Sequence, residues 1–417
     1  MFQTPPRVRP ALSWALVAAW VLAIYATVPF AREIQRRADA EWGAGSLRTF
    51  SISVIALGAS IAILHLARSA RGVLACKRFI PLAGVCLLFF ASIKRLADTP
   101  AEAVHFVQYG ILSLLAFGAF AHRQRDPMVY LNAILLCALA SLADEFIQWL
   151  LPGRYWDFRD VRNNIWAALL VQAAIAGGFQ PPYINGRPAP QSIRIASMLA
   201  SGFILALALC ASNTPAFNAR LAGTLPRMSW LLDQDHAMAE YGFRHEDPAI
   251  GRFYSRFTLD ALAGLDRRRG EAVGAILRFY STESDFTDFL QRYTPARDAF
   301  AHEAMVHFNR RNHYFAVLPK YRFEPEAYRF HLTVAFRENQ ILERYFPNTL
   351  AHAAPAWTVE LKEALAGQLL AGPSYTSEVS AHVIHRFGLR HVWMATVLAL
   401  ALCGWVYHRC GREEARR

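Results

Sequence analysis

The chain has 417 residues, 54% of them hydrophobic and only 18% charged, with a mean hydropathy of +0.18, a composition too apolar for an ordinary soluble protein. A formal net charge of +12 and a pI near 9.7 raise the question of nucleic acid. However, Lys and Arg sit at the ends of apolar runs without a nucleic-acid motif, so no nucleic-acid partner is expected. The six cysteines (Cys76, Cys86, Cys137, Cys210, Cys403 and Cys410) lie in or beside apolar runs, which excludes a disulfide framework or a cysteine metal motif in the polar stretch 213–388.

A helix needs roughly 20 apolar residues to cross the hydrocarbon core, where each backbone N–H and C=O must be satisfied within the segment. The first such run, 11–30, follows the basic MFQTPPRVRP and precedes no small-residue cleavage site, so it reads as an uncleaved signal anchor. Further spans are expected at 50–67, 79–93, 104–121, 128–151, 165–179, 195–211 and 389–407. The third and sixth are short and need neighbours to cover their ends, as in a packed bundle. No internal repeat is visible.

Lys and Arg in short loops are retained on the cytoplasmic side. Alternate loops carry Arg7 and Arg9; Arg68, Arg71, Lys77 and Arg78; Arg123 and Arg125; Arg187 and Arg194; and the tail Arg409, Arg412, Arg416 and Arg417. The opposite loops hold fewer: Arg32, Arg36, Arg37 and Arg48; Lys94 and Arg95; Arg154, Arg159 and Arg162. This bias predicts a multi-pass membrane protein, with membrane lipids as partners, both termini cytoplasmic and residues 213–388 extracytoplasmic, in the periplasm if the cell has two membranes.

Within 213–388, FTDFLQRY and TVELKEALAGQLL have helical spacing, whereas RFYSRFTLDAL, YFAVLP and YRFHLTVAFR alternate as half-buried strands do. The expected fold class is therefore an α-helical polytopic bundle of about eight transmembrane helices with an inserted α+β extracytoplasmic domain. The segments are 1–78, the first two helices; 79–180, a four-helix core; 181–212, a loop and the seventh helix; 213–388, the inserted domain; and 389–417, the last helix and a basic tail.

Ionisable side chains inside a membrane span are costly and call for a functional explanation. Asp144, Glu145 and Gln148 stand in LCALASLADEFIQWLLPGR, with Trp149 at interfacial depth, and the turn Pro152-Gly153 and Arg154 follow. Asp157, Asp160 and Asn164 then recur at helical spacing, where Asp157 can also cap the next helix. One span earlier, His105, Gln108 and Tyr109 lie one turn apart. Three consecutive spans thus bring their polar residues to one membrane depth.

The pattern H-F-x-x-Y-G-x-L, then D-E-x-x-Q-x-x-x-P-G-R-x-x-D-x-x-D-x-x-N-N, resembles the VanZ-like family of bacterial membrane proteins. It is carried by His105, Phe106, Tyr109, Gly110 and Leu112, then Asp144, Glu145, Gln148, Pro152, Gly153, Arg154, Asp157, Asp160, Asn163 and Asn164, within about 79–178. An Asp-Lys pair that often precedes the family's histidine is replaced by Ala101 and Glu102, and a glycine that commonly follows the last asparagine is Ala167. The resemblance implies an envelope protein connected, in its name-giving member, with lowered susceptibility to the glycopeptide teicoplanin. The polar domain resembles an extension found beside VanZ-like regions in some proteobacterial proteins, with HEAMVHFNRRNHYF and FRENQILERYFPNTL as its distinctive stretches.

His302, Glu303 and His307 tempt a zinc reading, but the spacing H-E-x-x-x-H turns the second histidine away from the first on a regular helix. Surface histidines are expected there, with no metal and no cofactor. Three functions fit the intramembrane cluster. The preferred one is non-catalytic: capture of a lipid-linked or peptidoglycan-related ligand, with Arg154 gripping its phosphate or carboxylate. The second is a hydrolase or transferase on a lipid-phosphate or cell-wall precursor, with Glu145 as acid or base, His105 as its partner and Arg154 stabilising negative charge. The third is a polar network that binds helices together without any ligand.

Overall fold

The computed structural model describes residues 8–69, 73–95, 100–151, 154–234, 236–370 and 375–415. Arg7, Arg71, Pro152, Gly153, Arg416 and Arg417, named above for the charge bias and the motif, lie outside the described residues, as do the side chains of Cys76 and Ala101. The chain divides into two units, Met1–Ala208 with Met394–Arg417, and Leu209–Trp393.

In the first unit the apolar runs become α1 (Pro10–Thr27), α2 (Ala31–Trp42), α3 (Ser46–Ser69), α4 (Val73–Arg95), α5 (Pro100–Phe120), α6 (Met128–Trp149), α7 (Phe158–Ala173) and α8 (Pro190–Ser212), with α16 (Leu389–Ala415) returning at the end. Six stretches among the described residues are long and apolar enough to cross a membrane: Pro10–Trp42, Ser46–Arg68, Glu102–Phe120, Met128–Trp149, Pro190–Ser212 and Leu389–Ala415. The two short expected spans are helical too but fall outside this set. Lys77, Arg78, Lys94 and Arg95 flank a short apolar stretch in α4, and α7 has 16 residues before a six-residue π-helical end, Ala174–Phe179.

Burial separates inner from outer helices. Phe106, Tyr109, Leu112, Cys137, Ala167 and Leu170 of α5, α6 and α7 are packed inside, joined by Ile24 of α1 and Ile93 of α4. Large apolar side chains such as Leu22, Leu57, Ile61, Leu87, Leu398 and Leu402 face outward, the distribution expected where lipid tails replace water as solvent. Two hydrogen bonds fasten α1 to the inner helices: Trp20 Nε1 donates to the Gln108 carbonyl at 2.9 Å, and Tyr25 Oη to the Ala140 carbonyl at 2.9 Å.

The second unit is mainly helical: α9 (Pro215–Thr224), α10 (Leu259–Phe279), α11 (Glu283–Arg292), α12 (Pro295–Ala316), α13 (Pro325–Tyr345), α14 (Pro347–Ala353) and α15 (Val359–Ala366). Its sheet is one antiparallel pair, β1 (Phe243–Asp247) and β2 (Gly251–Ser255), with Phe243 opposite Ser255 and Asp247 opposite Gly251. The helical readings of FTDFLQRY and TVELKEALAGQLL match α11 and α15; RFYS of the first strand reading lies in β2, whereas its last residues, LDAL, open α10 and are not strand.

The other two strand readings are corrected. YFAVLP spans the end of α12 and a 3-10 turn, and YRFHLTVAFR lies in α13. Along α13 Leu332, Ala335, Phe336, Asn339 and Leu342 are buried, the three-and-four spacing of a helix face. The aromatic-polar alternation within ten residues was a local coincidence with period two.

Helix α10 holds α14 by close approach. Both oxygens of buried Asp266 accept hydrogen bonds from its first turn: Asn348 N and Nδ2 at 2.9 Å each, Thr349 N at 3.0 Å and Thr349 Oγ1 at 2.7 Å. This caps a helix too short to stand alone. Gly270 and Gly274 permit the contact, since a Cβ on Gly270 would lie 2.5 Å from Asn348 Cβ and one on Gly274 2.5 Å from the Thr349 carbonyl oxygen. Gly274→Ala should therefore cost about 1–3 kcal/mol by overpacking. Gly223→Ala in α9 meets nothing within 4 Å and should cost nothing. Thermal unfolding of the detergent-solubilised chain compares them, and equal melting temperatures would refute the assignment.

Candidate functional site

The polar cluster forms where α5, α6 and the segment leading into α7 converge. Helix α6 turns Asp144, Glu145 and Gln148 inward on one face, and all three are buried, Asp144 completely. Desolvated carboxylates are tolerated only with donors around them. Tyr109 Oη of α5 donates to Asp144 Oδ2 at 3.2 Å, and His105 Nδ1 lies 3.5 Å from the same oxygen. Glu145 accepts from Gln148 Nε2 at 2.8 Å and from the backbone N–H of Asp157 at 3.2 Å. The second bond crosses the turn, so the start of α7 is fixed to the end of α6.

Asp157 is the N-cap of α7, its Oδ1 accepting from Arg159 N at 2.7 Å. Capping therefore accounts for its side chain, while its amide serves Glu145. Asn164 Nδ2 donates to Ser141 Oγ at 3.0 Å, a second α6–α7 link. Arg154 is half-buried and its Nη2 donates to Gln148 Oε1, a neutral amide. His105, Asp144 and Asp160 are within its electrostatic range. Gln108 enters through its carbonyl, which accepts from Trp20; its buried Oε1, with Asp144 Oδ1 and Asp160 Oδ1, has no hydrogen-bond partner among the described residues.

The structure thus brings Asp144, Glu145, Gln148, Asp157 and Arg154 into one network with His105 and Tyr109. The carboxylate nearest His105 is Asp144, whereas Glu145 faces the turn. Residues outside the expected ligand-binding set extend the network: Glu102 accepts from Arg159 Nη2 at 3.2 Å and Asn163 Nδ2 at 3.3 Å. The acid that departs from the family pattern has its basic partner on α7. Its position one turn before His105, facing an Arg that follows Asp157, was the available signal; Ser141, Trp20 and Tyr25 offered none.

In the second unit the histidines of HEAMVHF are not surface residues, which corrects that expectation. His307 is fully buried, with Nδ1 2.6 Å from Glu338 Oε2. Glu303 turns to Arg256, accepting from its backbone N–H at 3.1 Å. Five residues at 100° each place His302 and His307 about 140° apart on α12. They serve different networks: His302 lies near Arg256, Glu240, His236 and His382.

Burial, with Arg256 adding to it, lowers His302 from 6.5 to about 3. Burial alone would raise the Glu240 carboxyl, but a hydrogen bond from His382 and the Arg256 guanidinium outweigh it and bring it down to about 2. The fold keeps His302 neutral while the unfolded chain protonates near 6.5, so stability is intact above pH 6.5 and declines as pH falls toward 3. Glu240, ionised in the fold, adds a second decline from about pH 4.5 to 2. Hydrogen exchange in α12 should therefore accelerate from about pH 6.5 downward, after correction for intrinsic rates. His302→Gln should remove the decline above about pH 4.5 and keep the lower one; an unchanged profile would refute the attribution.

Residues 53–175 match the family model described as VanZ/LLP1. The matched stretch contains every cluster residue from Glu102 to Asn164, and it begins in α3, earlier than the motif alone indicated. No curated protein and no solved structure matches the chain.

Proposed function

We propose that this chain, a multi-pass membrane protein carrying a VanZ/LLP1 region, captures an anionic lipid-linked or cell-wall-related ligand at the ends of α5, α6 and α7. In this reading the protein lies in the bacterial inner membrane with eight spans, α4 and α7 crossing inside the bundle. The Lys and Arg bias supports cytoplasmic termini, an extracytoplasmic cluster and an extracytoplasmic domain 213–388. Ligand capture would be the route to an effect on glycopeptide susceptibility.

Arg154 is the observation that carries the reading. Glu145, Asp144 and Asp157 draw hydrogen bonds from Gln148, Tyr109 and backbone N–H groups, but the half-buried guanidinium of Arg154 rests on a neutral amide. Its planar fork suits a phosphate or carboxylate with two hydrogen bonds. The unpartnered oxygens of Gln108, Asp144 and Asp160 offer acceptors to hydroxyl or amide donors on the same ligand. A carbohydrate or peptide carrying an anionic group presents both.

Acid–base chemistry at the same cluster is the second reading, favoured by His105 Nδ1 at 3.5 Å from buried Asp144. Purified protein should bind a photoreactive polyprenyl phosphate, with crosslinks in α5 and α6. Arg154→Ala should reduce the crosslink at least tenfold while the protein accumulates normally. Undiminished crosslinking would overturn capture through Arg154. Turnover of the probe that is lost in Asp144→Asn or His105→Gln would establish the second reading; its absence, with full cellular function of Asp144→Asn, would remove it.

A further inference from the structure

The second unit contains a cleft of about 930 Å³ between the β1–β2 turn and α13, within the roughly 300–1,000 Å³ range of small-molecule sites. Its position follows from the backbone. Gly251 has φ of +116°, and a Cβ there would lie 2.2 Å from the Tyr375 carbonyl oxygen, so only glycine lets the chain entering at Tyr375 lie against β2. Arg252 N donates to that carbonyl at 2.7 Å, and Ser377 N donates to the Arg252 carbonyl at 2.9 Å. The segment forms one wall, α13 the other.

The lining has two characters. Ile250, Phe330, Val334 and Leu370 give apolar surface, and Phe330 is 48% exposed. The arginines differ in their partners. Arg252 lies 3.2 Å from Glu246, and Arg310 lies 2.9 Å from Glu378 and 3.4 Å from Glu338. Asp247, the other carboxylate of the lining, is 3.0 Å from Arg344. Among the described residues Arg337 has no such carboxylate and its buried Nε no hydrogen-bond partner; it donates to the Ala249 carbonyl and to Gln340 Oε1. A half-buried guanidinium without an acid, next to exposed apolar surface, is complementary to an anion with an apolar body.

We infer that this cleft binds a small amphipathic anion, one phosphate or carboxylate on an apolar chain, with Arg337 at the anionic group and Phe330 along the chain. The site lies outside the VanZ/LLP1 match and does not rest on the function proposed for the membrane cluster. The anionic group could come from an amphiphile or from free phosphate, and titration arms separate these sources. Isothermal titration of the full chain in phosphatidylcholine nanodiscs, against empty nanodiscs, compares hexyl phosphate with inorganic phosphate and hexanol. Hexyl phosphate should bind at least tenfold more tightly than either.

In an Arg154→Ala background, where the membrane cluster does not contribute, Arg337→Gln should weaken hexyl phosphate at least tenfold and Phe330→Ala about threefold. Inorganic phosphate binding as tightly as hexyl phosphate would overturn the amphipathic assignment, as would an unchanged Arg337→Gln. Loss of binding in Arg154→Ala would place the ligand in the membrane cluster and overturn the cleft. If Arg337→Gln fails to accumulate, Phe330→Ala decides, because its ring is exposed; unchanged affinity there overturns the proposal.

Discussion

Glu145 accepts a hydrogen bond from its own helix, through Gln148, and another from the first turn of the next helix, through the amide of Asp157. The arrangement of the membrane unit around the cluster depends on this pair of bonds. A carboxylate in a dry bundle must find donors or be very costly. The donors come from both sides of a turn, so satisfying the group also sets the angle at which α7 leaves α6. The Asn164–Ser141 and Tyr109–Asp144 bonds repeat the device at neighbouring levels. Apolar contacts between membrane helices are weakly directional, so polar links of this kind fix register.

The second unit, Leu209–Trp393, uses the same solution in another setting. Asp266 closes α14 onto α10, and Glu338 gathers His307, Tyr375 and Ser377 at distances of 2.6 to 2.7 Å. Its negative charge persists in the interior: burial opposes it, but the histidine and the two hydroxyl donors hold the Glu338 carboxyl below its ordinary value. The HEAMVHF stretch is thus committed to internal bonding, His307 to Glu338 and Glu303 to Arg256.

The guanidiniums of Arg154 and Arg337 are held by neutral hydrogen-bond acceptors. Arg154 rests on Gln148, and Arg337 rests on a carbonyl and Gln340. For Arg154 the carboxylates of Asp144 and Asp160 also stand within electrostatic range. Arg256, by contrast, is matched to Glu240 at 2.6 Å.

The sequence by itself determined the membrane class, because long apolar runs have few alternatives to spanning helices. It also brought the cluster from His105 to Asn164 into view, because polar residues at fixed spacing in an apolar background are visible without coordinates. It misread YRFHLTVAFR and YFAVLP as strands, since ten residues of alternation cannot reveal a helix face that repeats over twenty. Only the tertiary structure decided which carboxylate meets His105, that Glu102 pairs with Arg159, and that His307 is interior. Each depends on the rotation of one helix against another, a geometric choice that residue spacing within either helix does not fix.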